Sequence, residues 1–337
     1  SAGAPAISIA TLPAGNTVAL PPAFVGAAQP EALVPPPLPA GWRIGSFSAL
    51  IFGASHEQAA RDHDAHAGTV VALRDDAGAQ PEASDILRFP RGPAAGDCIH
   101  AVFERLVFTA PESRAGAIAR ALAEHPQSLA GVSETEAGPR LQAMLAGMVD
   151  DVLAAEIVPG LRLGSVPATR CSVELGFHLP APQLDAAALN AWLATHGYDM
   201  PQLSFAALSG YLKGYIDLVF EHHGRYWVAD WKSNHLGDRV EDYAAPALDA
   251  AMRAHGYHLQ HLIYTLAVHR HLRRALPDYD YERDFGGVLY LFVRGVRPHW
   301  RVDGAAAGVW RHRPAAAVIA AFDALVGAIS TPVADAV

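Results

Sequence analysis

The sequence has few cysteines and no excess of positive charge. Two cysteines, Cys98 and Cys171, occur among 337 residues, too few for a disulfide framework, a four-cysteine zinc site or a four-cysteine iron-sulfur cluster. The formal net charge of −9 argues against a uniformly basic nucleic-acid binder, although a local groove can be positive on an acidic protein. We therefore expect two free thiols and no iron-sulfur cluster.

Long apolar runs and nucleotide-binding motifs are also missing. No run of about eighteen apolar residues occurs, and the first residues lack the charged start and apolar centre of a signal peptide. The pattern G-x-x-x-x-G-K-[ST] is absent, so we expect no ATP site of the P-loop type. These absences predict a cytoplasmic protein without a membrane segment, and the start at Ser-Ala-Gly favours an excised fragment.

The composition changes near residue 40. Residues 1–40 are rich in Pro and Ala and contain the run VPPPLP; because proline fixes φ and removes a backbone donor, we predict a disordered linker. With 51% hydrophobic residues the chain can bury a substantial core, and we predict one folded domain over residues 41–337. The polar stretch HEQAARDHDAHAG, residues 56–68, lacks periodicity and predicts a mobile loop.

The remaining patterns predict a mixed α/β domain. DCIHAVFERLVF has the spacing of a helix that carries His100, with Asp97 placed to cap its start. RCSVELGFHL alternates as a strand with Glu174 opposite its apolar face, and GGVLYLFVRG predicts a strand buried on both faces. Further helices are predicted near 114–124, 139–156, 184–196 and 254–275.

Three charged residues lie among apolar residues in the predicted hairpin GYLKGYIDLVFEHHGRYWVADWKSN. Asp230 and Lys232 face the same way in a strand, and the turn at 222–224 can bring Asp217 beside Asp230. Neighbouring carboxylates repel, and a hard divalent cation relieves that repulsion and leaves positions for water and phosphate oxygens. The lysine could orient water or neutralise phosphate charge. The cluster favours metal-dependent phosphodiester hydrolysis, although Asp-x-Lys alone is more often an ordinary exposed ion pair.

Other candidate groups leave two interpretations open. Tyr257, Gln260 and Tyr264 share one face of a predicted helix, which either looks onto the hairpin or supplies core-edge residues. The cluster of His63, Asp64 and His66 is more typical of a solvated loop than of a metal site. Aromatic and basic residues near the end of the chain either line a phosphate-tracking groove or form a scattered solvated face; they are Arg270, Arg273, Arg274, Arg294, Arg297, Arg301, Arg311, Arg313, Trp300 and Trp310.

Several motifs in succession resemble the RecB-type nuclease domains of the PD-(D/E)xK superfamily. They are GYLKGYIDLVF, YWVADWKSNHLG and YHLQHLIYTLAVHRHL, preceded by RFPRGPAAGDCIHAVFE and WRIGSFSAL, so the resemblance covers roughly residues 42–300. It implies a restriction-endonuclease-like mixed β-sheet core flanked by α-helices. Ile216 replaces the proline of the superfamily name and the second acid is Asp rather than Glu; both departures are usual in the RecB branch.

The resemblance implies a role for each matching residue. The implied metal ligands are His100, Asp217, Asp230 and the backbone carbonyl of Trp231. The implied catalytic residues are Lys232, Asp217, Asp230, Gln260 and Tyr264, with Glu174 as a possible acidic helper. The implied ion is Mg2+, with Ca2+ as an inert substitute.

The resemblance also implies an activity and partners. The expected activity is Mg2+-dependent cleavage of single-stranded DNA, as endonuclease and exonuclease, in recombination and double-strand-break repair, with RecC, RecD and RecA as partners. An alternative is a nuclease-fold module that mainly docks RecA or partner subunits. The complete charged cluster argues against that alternative, because a scaffold has no physical need for buried charges. A stand-alone nuclease is a third possibility.

Overall fold

The computed structural model describes residues 42–52 and 82–327 of the chain. Three predictions fall outside the described residues: the linker over 1–40, the loop over 56–68 and the histidine cluster within that loop. None of the helices in the described ranges is both long enough and apolar enough to cross a membrane.

A mixed β-sheet forms the framework of the domain. The strands are β1 (Trp42–Gly45), β2 (Cys171–Leu184), β3 (Leu208–His222), β4 (Arg225–Lys232), β5 (Phe285–Phe292), β6 (Arg301–Val302), β7 (Ala305–Ala306) and β8 (Val309–His312). Six of them form one sheet in the order β1, β3, β4, β5, β8. β1 and β4 pair with successive parts of one edge of β3, and β2 pairs with the opposite edge. β1 with β3 and β4 with β5 pair in parallel, and the other neighbours are antiparallel. The predicted mixed α/β fold is confirmed.

Helices cover both faces of this sheet. They are α1 (Phe47–Phe52), α2 (Pro93–Arg105), α3 (Ser113–Glu124), α4 (Glu134–Ala154), α5 (Ala186–Thr195), α6 (Ala245–Ala254), α7 (Tyr257–Ala275), α8 (Tyr281–Asp284) and α9 (Ala316–Gly327). The four helices predicted after the His100 helix correspond to α3, α4, α5 and α7, whereas α1, α6, α8 and α9 were not predicted.

The helix that carries His100 begins before Asp97, the residue that was predicted to cap it. Its first residue is Pro93 and its N-cap is Gly92, so Asp97 lies inside α2 and the prediction that it caps the helix is wrong. Proline suits the first helical position because its fixed φ is already helical and the amide it lacks would have no partner there.

Two hydrophobic cores lie on opposite faces of the sheet. The first core packs α5, α6, α7 and α9 against the sheet, and the second core packs α2, α3 and α4 against the other face. Every residue of β5 is buried, as predicted for GGVLYLFV. In β4, Val228 belongs to the first core while Ala229 and Trp231 belong to the second, so Asp230 and Lys232 share the orientation of Val228.

The predicted hairpin of β3 and β4 is present and has a tight turn. Its pairs run from Leu218 with Ala229 to His222 with Arg225. The two turn residues, His223 and Gly224, have φ values of 50° and 75°. Positive φ at both central residues is the type I′ geometry, whose twist matches that of the flanking strands.

The strand β3 changes its surroundings at Asp217. On one side, β1 pairs with residues 209–212 and β4 pairs with residues 218–222, which leaves 213–217 between the two partners. Leu212 and Ile216 pack in the first core, whereas Leu218 and Phe220 pack in the second. The carboxylate of Asp217 therefore lies where the strand switches faces and where its neighbour β4 separates from it.

The two cysteines are separate free thiols, as predicted. Cys98 is buried in α2 and Cys171 is half-buried at the start of β2. Burial raises the pKa of Cys98 to about 12 and the pKa of Cys171 to about 11. Both are therefore protonated and unreactive at neutral pH.

Candidate active site

Asp217 closes the fork between β3 and β4. Its Oδ2 atom accepts a hydrogen bond of 2.8 Å from the backbone N–H of Trp231. Because the backbone pairing of these strands ends at Leu218 and Ala229, a side-chain oxygen takes the place of a ladder carbonyl. The contact fixes the Asp217 carboxylate next to the segment that carries Asp230 and Lys232.

His100 approaches the same carboxylate from α2. Its Nδ1 atom lies 3.4 Å from Asp217 Oδ2, and both side chains are buried. Burial opposes ionisation of Asp217, but the His100 imidazole and the Trp231 amide outweigh it, so the pKa of the carboxyl is lowered. His100 and Asp217, predicted from separate motifs, are thus in contact.

Asp230 and Lys232 form a buried ion pair. Lys232 Nζ lies 2.8 Å from Asp230 Oδ2, and the two side chains are 1% and 3% exposed. Trp231 points the other way and stacks on Phe103, with ring centroids 4.1 Å apart. The predicted separation of faces along VADWK is therefore present, and the alternative of an exposed ion pair is wrong.

Asp230 is an unfavourable place for a second negative charge. Burial, together with the nearby charge of Asp217, raises the pKa of Asp230 to about 8, although Lys232 acts in the opposite direction. The Asp217 carboxylate is therefore close enough to oppose the ionisation of Asp230. A bound cation would remove that opposition.

One face of α7 completes the surroundings of Lys232. Lys232 Nζ donates to Gln260 Oε1 at 3.2 Å, and Gln260 Nε2 donates to the hydroxyl of Tyr264 at 3.1 Å. Lys232 Nζ also lies 3.8 Å from the ring centroid of Tyr257, within the range of a cation–π contact. Of the two interpretations of this helix face, the one that directs it onto the hairpin is confirmed.

The sequence did not indicate Tyr290 as part of this network. Its hydroxyl donates to Gln260 Oε1 at 2.9 Å, so the amide oxygen accepts from both Tyr290 and Lys232. Tyr290 lies within the apolar run of β5, where a tyrosine reads as an ordinary strand residue. Its pairing opposite Asp230 in the parallel ladder could have suggested the role, had the register been known.

Arg294 has a position that the sequence did not predict. It is 1% exposed and donates to the backbone carbonyls of Ser233, Ile86, Phe89 and Pro90, at 2.8, 2.8, 3.0 and 2.6 Å. Ser233 follows Lys232, and the segment 86–90 leads into the helix of His100. One guanidinium therefore ties together the two segments that supply the candidate site.

The predicted phosphate-tracking groove is not supported by the positions of its members. Arg294 and Trp310 are buried, so a surface groove cannot include them. Arg297 makes two hydrogen bonds to Asp85, of 2.9 and 2.6 Å, and Arg270 and Arg313 pair with Asp323 and Glu282. The groove interpretation is therefore wrong for these residues.

Glu174 lies opposite Asp217 on the adjacent strand β2. Its neighbours Val173 and Leu175 pair with Leu218 and Ile216, which places Glu174 opposite Asp217 in the ladder. Glu174 is half-buried and has a φ of 53°, the left-handed region that costs a non-glycine residue about 1–2 kcal/mol. Its position is compatible with the implied role of acidic helper, which stays a prediction.

The side chains around Asp217 suit a hard divalent cation. They offer the carboxylates of Asp217 and Asp230 and the imidazole of His100. Within the described residues, no three His, Cys, Asp or Glu side chains converge closely enough to enclose a metal by themselves. Mg2+ commonly binds one or two protein carboxylates and keeps water or phosphate oxygens in its other positions. The residues present therefore fit Mg2+ better than a closed structural metal such as zinc.

Comparisons with known proteins agree with the family resemblance. The model of the PD-(D/E)XK nuclease superfamily matches residues 72–325. This match and the mixed sheet confirm the predicted restriction-endonuclease-like fold, and they support the predicted enzyme class of metal-dependent deoxyribonuclease.

The curated relatives are subunits of a larger enzyme. The chain is 36% identical to RecBCD enzyme subunit RecB of Escherichia coli (strain K12) over 292 residues, which is 84% of this chain and 23% of that protein. It is 34% identical to the Haemophilus influenzae subunit over 302 residues, again 84% of this chain and 23% of that protein. For the Mycobacterium tuberculosis (strain H37Rv) subunit the identity is 32% over 313 residues, with 84% and 28% covered. The chain thus spans about a quarter of the length of these relatives.

Proposed function

The chain belongs to the PD-(D/E)XK nuclease superfamily, and from that membership we propose that it is a Mg2+-dependent nuclease domain that cuts single-stranded DNA, as endonuclease and exonuclease, within a RecBCD-type recombination and repair complex. The observation that carries the proposal is the buried pair of Asp230 and Lys232 beside Asp217 and His100. Burying these charges costs several kcal/mol, and a reaction site is a physical reason to keep them.

Each residue of the site has a role that follows from its surroundings. His100, Asp217, Asp230 and the carbonyl of Trp231 would hold Mg2+. When bound, the ion polarises the scissile phosphate and lowers the pKa of water. Lys232 keeps its ammonium at a fixed point between Asp230 and Gln260, where it can donate to a phosphate oxygen and stabilise the charge that develops during attack.

Gln260 contacts Lys232 directly and Tyr264 contacts Gln260, so both would position the ammonium beside the substrate. The amide oxygen of Gln260 accepts from Lys232 and from Tyr290, and its amide nitrogen donates to Tyr264. The orientation of the amide is thus set by two hydroxyls, and the amide in turn orients the ammonium. Glu174, opposite Asp217, would adjust the charge near the metal.

The partners and setting are proposed from the relatives. RecC and RecD are the partners proposed from the RecBCD name of the relatives, and RecA is the partner implied by the family resemblance. The proposed setting is the cytoplasm, where such a complex would meet its DNA substrate. The domain over residues 41–337 would carry the activity and residues 1–40 would connect it to the rest of a longer chain.

The test is cleavage of a labelled single-stranded oligonucleotide with Mg2+, Ca2+ or EDTA. The unmodified chain is compared with Asp230→Ala and Lys232→Ala, and with Asp199→Ala as a control, because the Asp199 side chain is 82% exposed. We expect cutting with Mg2+ only, lost in both site variants and kept in the control. Metal binding without any cutting, by a chain that still holds RecA or a partner subunit, would contradict the proposal and favour the docking module.

A further inference from the structure

Large apolar side chains are exposed together on β1 and β3. Trp42, Ile44 and Tyr211 are 48%, 54% and 36% exposed. The rings of Trp42 and Tyr211 meet edge to face with centroids 5.5 Å apart, and Ile44 pairs with Tyr211 in the ladder. A contiguous exposed apolar patch on a folded domain marks a binding surface.

This patch continues along β3 toward the candidate active site. Tyr211, Lys213 and Tyr215 occupy alternate positions of the strand, and alternate positions face the same way. Leu212 and Ile216 point into the first core, so these three residues point away from it. Asp217 follows Tyr215 by two residues, at the point where the strand switches faces. At about 3.4 Å per residue, Tyr211 lies about 20 Å from Asp217 along the strand.

The series of side chains that begins at Tyr211 ends at Asp217, which belongs to the candidate active site. Asp217 contacts His100 of α2, a helix of the second core, which lies on the face away from the first core. The line of side chains from Tyr211 to Asp217 therefore leads along the exposed part of that face into the fork between β3 and β4. We call Trp42, Tyr211, Lys213 and Tyr215 the aromatic track.

The charge of the aromatic track differs from that of the whole chain. Lys213 Nζ lies 5.7 Å from the ring centroid of Tyr215, and the cross-strand partner of Lys213 on β2 is the exposed His178. The paired segments 42–45, 176–180 and 211–215 contain no Asp or Glu. On a chain with a formal charge of −9, this strip is locally neutral to positive and suits an anionic ligand.

On one side the Tyr215 ring packs against β2. Gly176 pairs with Tyr215, and a Cβ atom at Gly176 would lie 3.4 Å from Tyr215 Cε1. The Tyr215 side chain is only half-buried, so part of its ring is accessible to a base.

We propose that the aromatic track binds single-stranded nucleic acid and guides it to Asp217. Aromatic rings that alternate with a cation are the combination that binds single strands without sequence preference, since bases stack on the rings and the cation contacts a phosphate. A duplex keeps its bases stacked on each other, so the track selects single strands. The inference rests on the proposed function, because it takes the hairpin as the place where the strand is cut.

The first test is oligonucleotide binding in EDTA, where cutting cannot occur. Fluorescence anisotropy of a labelled oligo-dT is measured for the unmodified chain, for Trp42→Ala with Tyr211→Ala, and for Lys213→Ala. Val107→Ala and Arg140→Ala are controls, because both residues are exposed and lie outside the aromatic track, Val107 just after α2 and Arg140 on α4. We expect the Kd of the aromatic variant to rise about 5- to 100-fold and the controls to match the unmodified chain.

Salt dependence separates the cation from the rings. Removing one phosphate contact lowers the slope of log Kd against log salt by about 0.7 for a single strand. Lys213→Ala should show that change and the aromatic variant should not. Equal Kd values and equal slopes in all variants would overturn the inference, and loss of binding to a partner subunit with unchanged oligonucleotide affinity would overturn it in favour of a protein-docking face.

A second assay separates this inference from the proposed function. Turnover of bis(p-nitrophenyl) phosphate with Mg2+ reports the hairpin without the track. If the track variants keep this turnover but cut oligonucleotides more slowly, both proposals hold. If the unmodified chain turns over neither substrate but binds oligo-dT through the track, the proposed function fails, strand binding by the track stands, and delivery of the strand for cutting fails with the proposed function. If the variants cut both substrates like the unmodified chain, the inference fails and the proposed function stands.

Discussion

Lys232 Nζ lies 2.8 Å from Asp230 Oδ2, and neither side chain is more than 3% exposed. A buried pair of this kind contributes little net stability, but removing one partner leaves an uncompensated charge and typically costs about 3–5 kcal/mol. Replacing one partner should therefore lower the free energy of unfolding strongly, whereas replacing both partners together should change it little. Stability alone is therefore a weak reason to keep this pair, and a role in the reaction is a stronger one.

The first prediction compares single and double replacement of this pair. Lys232→Met should lower the free energy of unfolding by more than Lys232→Met combined with Asp230→Asn. In the single variant Asp230 must either keep a buried charge without its partner or take up a proton at pH 7.5, far above the usual pKa of a carboxyl, and the double variant avoids both costs. Urea unfolding at pH 7.5 measures both, and cleavage should be absent in both. Equal destabilisation in the two variants would contradict the pairing, since the loss would then come from packing.

The second prediction concerns Gln260, the amide between Lys232 and Tyr264. Gln260→Ala should lower kcat about tenfold or more, because the ammonium loses a hydrogen bond worth about 1.5–3 kcal/mol. Gln260→Glu should partly restore activity, since a carboxylate oxygen can accept the same two hydrogen bonds. The comparison is His271→Ala, an exposed residue of the same helix. A pH profile of kcat that stays the same in Gln260→Ala would show that Gln260 does not act through Lys232.

The third prediction concerns Arg294 as a positioning residue. Arg294→Lys keeps the charge but loses the planar fork that reaches four carbonyls, so it should destabilise the chain by at least about 2 kcal/mol. It should also lower kcat, because Ser233 and the segment 86–90 lose their common anchor. KM should change less than kcat if the effect passes through His100 and Lys232. A loss of stability with unchanged kcat at 15 °C would leave Arg294 a structural residue only.

The parts of the site that were predictable from sequence are those set by short-range pattern. Alternation along VADWK fixes the shared face of Asp230 and Lys232, and helical spacing fixes the shared face of Gln260 and Tyr264. Each can be deduced within a few residues. The turn at 222–224 was equally local, and its two positive φ values match the His-Gly pair.

The unpredicted parts depend on contacts between distant segments. Arg294 bonds to Ile86 across 208 positions, and no local pattern marks an arginine as buried. Glu174 has a left-handed φ and lies opposite Asp217, and both facts require the strand register. The helix α9, AAVIAAFDALVG, is apolar nearly all round, so the periodicity that identifies a surface helix is weak there.

The last prediction concerns acid sensitivity of a histidine cluster behind the site. His261 of α7 lies 3.2 Å from His312 of β8, between Nε2 and Nδ1, and burial lowers the pKa of both, as it does for His258. Because the folded pKa values lie below the unfolded value of about 6.5, the unfolded chain binds more protons as the pH falls through 6.5. The contribution of these histidines to the free energy of unfolding is therefore fully present above pH 6.5. Below pH 6.5 the free energy of unfolding decreases by up to about 1.4 kcal/mol per pH unit for each histidine.

Urea unfolding at pH 7.5, 6.0 and 5.0 tests this prediction. The urea midpoint should fall steeply with pH for the unmodified chain and less steeply for His261→Gln, whereas the variant of an exposed histidine, His271→Gln, should keep the full slope. An equal slope in all three chains would mean that the acid sensitivity arises elsewhere.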